Sequence, residues 1–204
     1  MLRRRKTFIV LMLLAAALAA LSLAQSRCPA CGWAIRGEVR EFARLKNRTA
    51  LPQVEDFDGG VSLEEMLRGG DDRGRWSEAK AGAVEGYVVS VGEGGVEAAN
   101  CYSLWRRDTH IHVAARADAP PREQFVVEVT PRLREWAAGR GEDWTTPALR
   151  RALVGRWCRF EGWLLFDREH ADASENTRAE GEGVWRATAW ELHPVTKIEV
   201  MNDE

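Results

Sequence analysis

Positive charge is in short supply in this chain of 204 residues: 29 Lys and Arg stand against 31 Asp and Glu, for a formal charge of −2. Four of those cations, Arg3, Arg4, Arg5 and Lys6, fall in a first stretch of 24 residues that carries no acid, so without it the formal charge becomes −6. That balance works against non-specific nucleic-acid binding, which depends on Lys and Arg neutralising phosphates. Long apolar runs are scarce too. Only Phe8 to Leu21 approaches a membrane span, so nothing downstream reads as a crossing. No internal repeat is present, which excludes a solenoid or a propeller. The four cysteines include a single Cys-x-x-Cys, Cys28-Pro29-Ala30-Cys31, which leaves a zinc ribbon without its second half. No strand precedes that motif, so the thioredoxin setting is missing as well.

What is present begins with the N-terminus. A basic start, a short apolar stretch and the small-x-small exit Ser22-Leu23-Ala24 read as a secretory signal peptide, residues 1–24, cleaved after Ala24. An uncleaved N-terminal anchor is the competing reading. Gln25-Ser26-Arg27 before Cys28 is no lipoprotein site. The expectation is therefore an exported chain, periplasmic or secreted, with no membrane span after cleavage. Export permits disulfides. Cys28 and Cys31 are expected as a local disulfide or as free thiols, although Cys28, Cys31, Cys101 and Cys158 allow three full pairings.

Residues 25–80 read as a helical arm. Ile35, Val39, Phe42 and Leu45 fall on one face of a helix over 33–46. Ser62 followed by Glu65 is a capping-box start for a short helix over 63–68. From residue 81 to 204 the pattern changes. Residues 83–91 have strand composition, with Gly82 and Gly86 marking a bulge or bend. Residues 107–114 alternate strictly: Thr109, Ile111 and Val113 take one face, Asp108, His110 and His112 the other. Residues 124–130 alternate again, with Phe125, Val127 and Val129 opposite Glu128. Pro131 opens a helix, and a second helical piece spans 147–154 with Thr146 as its cap. Strands over 156–166 and 184–200 close the series, the last broken near Pro194. This β-β-β-α-β-β order predicts a mainly β protein with flanking helices, built on a five-stranded OB-fold-like barrel behind a signal peptide and an N-terminal helical arm.

In such barrels the ligand lies across strands two and three, between the loop joining strands one and two and the loop joining strands four and five. Both loops are long here, about residues 92–106 and 167–183. Asn100, Tyr102, Trp105, Arg107 and Asp167 are the candidate ligand contacts, with Trp105 the best placed to stack on a sugar or base. Asp108, His110, His112 and the loop residue His170 form a candidate divalent-metal set, since a His-x-His pair on one strand face can place two imidazoles on one ion. Glu128 on the neighbouring strand is then the candidate base. Arg132 is an anion clamp or an orienting partner of Glu128 or Asp108.

The strings Gly162-Trp163-Leu164-Leu165-Phe166-Asp167, Glu169-His170 and the run from Trp185 to Thr196, together with Asp108-Thr109-His110 and Glu128–Arg132, resemble uncharacterised exported bacterial proteins with an OB-fold-like domain. The resemblance covers about residues 80–200 and implies the barrel without an activity. Staphylococcal-type nucleases share the barrel, but their arginines and carboxylates do not map onto this chain, so that likeness is one of fold alone. Three functions are compatible with the residues. The favoured one is a binding module holding a glycan, oligonucleotide or peptide on the strand 2/strand 3 face. The second is a metal-dependent hydrolase, such as a phosphodiesterase. The third is an assembly protein that docks another envelope protein.

Overall fold

The computed structural model describes residues 2–178 and 183–201, so residues 179–182 of the expected 167–183 loop lie outside the described residues. Its centre is a closed five-stranded mixed barrel with strand order β1-β2-β3-β5-β4, flanked by helices and consistent with the OB-like plan. The strands are β1 (Ala81–Glu93), β2 (Thr109–Ala114), β3 (Phe125–Val129), β4 (Trp157–Phe166) and β5 (Trp190–Val200). Between β3 and β4 stand helices Pro131–Ala138 and Thr146–Leu153. All strand pairs are antiparallel except β3 and β5, which run parallel.

Alternation makes the barrel. Ile111 and Val113 of β2, Phe125, Val127 and Val129 of β3, Val84 and Val88 of β1, Phe160 and Leu164 of β4 and Leu192 of β5 point inward into one apolar core. Three glycines let elements close on this core. A Cβ at Gly82 would meet Val61 at 2.5 Å, and one at Gly86 would meet Val113 at 2.5 Å. Both therefore admit neighbours, while the irregularity expected of them in β1 falls instead between Val88 and Ser90. At Gly162, a Cβ would sit 2.6 Å from the Pro194 carbonyl oxygen, where β4 and β5 shift register.

Helix α1 (Leu2–Ser26) carries the apolar stretch, which over Lys6–Gln25 has a mean hydropathy of 2.5 and is not buried in the protein. It fits a signal sequence. At 20 residues it also has the length and composition to cross a membrane, beyond what the Phe8-to-Leu21 run suggests.

The arm after it packs on the barrel. Helix α2 (Gly37–Lys46) starts later than expected and buries Phe42, Ala43 and Lys46, whereas Ile35 is 92% exposed and Val39 lies on the solvent side. Helix α3 (Leu63–Leu67) has the expected cap, with the Glu65 backbone N–H donating to Ser62 Oγ. Its Leu63 and Met66 join the barrel core. Arg48 ties the arm down by donating to the carbonyls of Glu78, Leu164 and His193.

Three further expectations are corrected. Cys28 pairs with Cys101 across 73 residues, not locally, and Cys31 and Cys158 are free. Thr145, in extended backbone, occupies the N-cap position of the second helix, and the Thr146 hydroxyl is instead engaged with Thr109 Oγ1 at 2.6 Å. The last strand begins at Trp190, not 184: Arg186 bridges to Ser174 instead of joining β5, and its side chain donates to the Thr188 and Trp190 carbonyls.

Candidate functional site

The outward faces of β2, β3 and β5 share one polar surface. His110 lies opposite Glu128 in the β2–β3 register. Val126 of β3 lies beside Glu191 of β5, and Leu192 of β5 is in the core, so Glu191 and His193 project to the same side as Glu128. Asp108 enters from the residue before β2. An outward barrel face is ordinarily wet, but here the end of α2 covers it. The side chains of Asp108, Glu128, Glu191 and His193 are all at most 3% exposed.

Three of these side chains converge. Asp108, Glu128 and His193 each offer a ligand atom, and those atoms lie within 4.8 Å of one another. His193 Nδ1 lies 3.0 Å from Glu191 Oε1 and 3.2 Å from Glu128 Oε2, and a proton on Nδ1 leaves the neutral imidazole's lone pair on Nε2. Nε2 has no hydrogen-bond partner and lies 4.0 Å from Asp108 Oδ2. Asp108 Oδ1 and Glu128 Oε2 are likewise buried without a hydrogen-bond partner. Orphaned buried polar atoms are costly, and a cation held between these three residues would offset that cost. The donor set, two carboxylate oxygens and an imidazole nitrogen, suits zinc, manganese or iron. The Glu191 carboxylate behind His193 is the partner that fixes a ligand imidazole's tautomer.

The electrostatics follow from burial and crowding. Burial, then Glu97 and Glu128, push the Asp108 carboxyl well above the usual carboxylate range. Glu128 goes the other way: against its burial, His110 and His193 hold it well below that range. His110 Nε2 stands 3.1 Å from Glu128 Oε1, and this carboxylate raises the His110 pKa although burial opposes it. Burial and Glu128 raise Glu191, which Arg186 Nη2 contacts at 2.9 Å. Lys46 brings an ammonium onto Glu97, and despite its burial Glu97, Glu128 and Asp108 raise its pKa. Arg186 continues to Asp167 at 3.2 Å, and Asp167 meets His170 Nδ1 at 2.5 Å. A continuous row of polar contacts thus runs from His110 through Glu128, His193, Glu191, Arg186 and Asp167 to His170.

Of the candidates read from sequence, Asp108 and Glu128 are brought together and His110 borders them. His112 is turned toward Trp185, its ring 5.9 Å away, and burial and His110 lower its pKa to about 4. His170 belongs to Asp167 and Trp185. Arg132 neither clamps nor orients Glu128 or Asp108: it donates to Asn47 Oδ1 at 3.1 Å and to the Cys28 carbonyl at 2.5 Å. Asn100 is buried and donates to Glu97 Oε1, Arg107 pairs with Glu93, and Asp167 is enclosed by His170 and Arg186. Tyr102 and Trp105 are exposed, at 53% and 84%, on a loop whose Cys101 and Tyr102 are left-handed. Sequence reasoning missed His193, Glu191, Glu97 and Lys46. The Glu191-x-His193 spacing in the last strand is the one signal that pointed to two of them.

Two open grooves lie elsewhere: one of about 430 Å³ between Trp136, Trp144 and Lys197, and one of about 550 Å³ between Phe57, Glu64 and Arg159. Comparison with protein-family models, with curated proteins and with solved structures finds no match to this chain.

Proposed function

We propose that this chain is an exported, OB-like barrel protein that binds one divalent transition-metal ion through Asp108, Glu128 and His193. The observation that carries the reading is the convergence of three buried residues, each offering a ligand atom within 4.8 Å of the others and each with a polar side-chain atom that has no hydrogen-bond partner, with Glu191 3.0 Å behind His193. Export is supported by the apolar N-terminal helix, and membership among exported OB-like proteins by the strings from Asp108 to Thr196. Enclosure under the arm favours a firmly held ion over an open ligand-binding face: a glycan, oligonucleotide or peptide would have to displace Lys46 and Asn47 to lie across β2 and β3. The metal-dependent hydrolase remains the second reading. His110, with a side chain 23% exposed and in contact with Glu128, is the group placed to pass protons between such an ion and solvent.

The test is metal rescue of chelator-stripped protein. Zinc or manganese at a hundredfold excess over its dissociation constant stabilises a binding-competent fold by about 2.7 kcal/mol. The wild type and His112→Ala are expected to show that gain, and Asp108→Asn and His193→Gln to lose it. Equal response of all four proteins removes the site.

A further inference from the structure

The Asp108 cluster uses no cysteine, yet three of the four cysteines lie where the arm packs on the 98–101 turn. Cys28 is bonded to the buried Cys101, and Cys31, three residues on, is a free, half-buried thiol. The segment between them is folded back on itself, the Gly32 N–H donating to the Pro29 carbonyl at 2.8 Å. It is also pressed onto the short turn that carries Cys101. Gly32, with φ +57°, packs so closely that a Cβ there would lie 2.0 Å from the Ala98 carbonyl oxygen, and the Trp33 N–H donates to that oxygen at 2.9 Å. Cys28 Sγ lies 3.6 Å from the Ala99 carbonyl oxygen, on the same turn. Arg132 adds a cation: its guanidinium donates to the Cys28 carbonyl and interacts electrostatically with Cys31. Cys158 takes no part, since it is buried in β4 and burial pushes its thiol up to about 11.

We propose that Cys28, Cys31 and Cys101 form a thiol–disulfide exchange site, in which Cys31 takes Cys28 over from Cys101. Cys31 gives its proton to water and its thiolate attacks Cys28 Sγ. The Cys28–Cys101 bond breaks with its electron pair leaving on Cys101 Sγ, which then takes a proton from water. One S–S bond forms and one breaks, so the step consumes no oxidant or reductant. A low-molecular-weight thiol is the external substrate class: a mixed disulfide that it forms on Cys28 is resolved by Cys31. Exchange replaces the 73-residue tie with a local one, leaving the arm fastened to the 98–101 turn by hydrogen bonds such as Asn47 Nδ2 to the Ala99 carbonyl at 2.9 Å. Nothing in this step depends on the Asp108 cluster holding a metal.

Peptide mapping of the full exported chain tests it. Wild type, Cys31→Ser and Cys101→Ser are equilibrated in a mildly alkaline glutathione buffer, quenched in acid, alkylated and digested with trypsin. Cleavage after Arg27 and Arg36 leaves Cys28 and Cys31 in one peptide and Cys101 in another, so the two disulfides differ in mass and connectivity. The wild type is expected to yield both the cross-linked pair and the internally bridged Cys28–Cys31 peptide, and Cys101→Ser the internal bridge alone. Cys31→Ser is expected to accumulate glutathione on Cys28 about tenfold over wild type, because nothing resolves it. A wild type that retains only the Cys28–Cys101 link at every glutathione ratio, with no more adduct in Cys31→Ser, overturns the proposal whether or not Cys101→Ser folds.

Discussion

Lys46→Met removes the ammonium that sits among Glu97, Asp108, Glu128 and Glu191 while keeping most of the side chain's aliphatic stem. The pair it breaks is enclosed, with Lys46 8% and Glu97 21% exposed. Breaking a buried ion pair by deleting one partner costs about 3–5 kcal/mol. Glu97 keeps some solvent and the Asn100 hydrogen bond, which places this case at the lower end, about 3 kcal/mol. For a chain of this size that lowers Tm by about 6–12 °C. The loss belongs to an orphaned carboxylate, so Glu97→Gln added to Lys46→Met restores more than half of it. The pH dependence has a definite sign. Against burial, the Asp108 hydrogen bond and Lys46 hold the folded Glu97 below its ordinary value of 4.5. Its pairing therefore stabilises above that value and is lost as pH falls through the folded pKa, so the gap between wild type and Lys46→Met closes in acid. Urea unfolding of chelator-stripped protein reads all three quantities through the buried Trp190. A Lys46→Met protein within about 0.5 kcal/mol of wild type at neutral pH, or a gap that widens in acid, refutes the reasoning.

The far end of the charged row makes a second pH prediction. The hydrogen bond to Asp167 raises the His170 pKa above its ordinary 6.5, so its contribution is complete below that value and lost as pH rises through the folded pKa. The stability difference between wild type and His170→Ala, below about 1 kcal/mol because the side chain is 44% exposed, is larger near pH 5 than near pH 8.5 in paired urea melts. Gly162→Ala drives a Cβ onto the backbone of Pro194 and costs about 1–3 kcal/mol, whereas Gly95→Ala, with open space around it, does not; thermal melts of the two separate them.

The parts of this molecule that were legible in sequence are those set by local periodicity. Alternation in β2 and β3 put Asp108, His110 and Glu128 on one face because a pleated strand leaves no other choice. Alternation fixes a face and not an aim: His112 shares that face and turns away to Trp185. The last strand was harder because both of its sides are buried from Trp190 to Val195, so Glu191 and His193 follow no exposed–buried rhythm. Their polarity is intelligible only beneath the arm, and what the arm covers is a tertiary fact. The same holds for Lys46, which in sequence is an ordinary basic residue at a helix end, and for Cys28, whose partner lies 73 residues away while a nearer cysteine stands three positions on.

The metal content of the exported chain, purified untagged without chelator, tests the central claim most directly when measured by elemental mass spectrometry beside His193→Gln. The account predicts close to one equivalent of zinc, manganese or iron in the wild type and less than about a tenth of that in the variant. A wild type free of metal, which takes none up on titration, contradicts it.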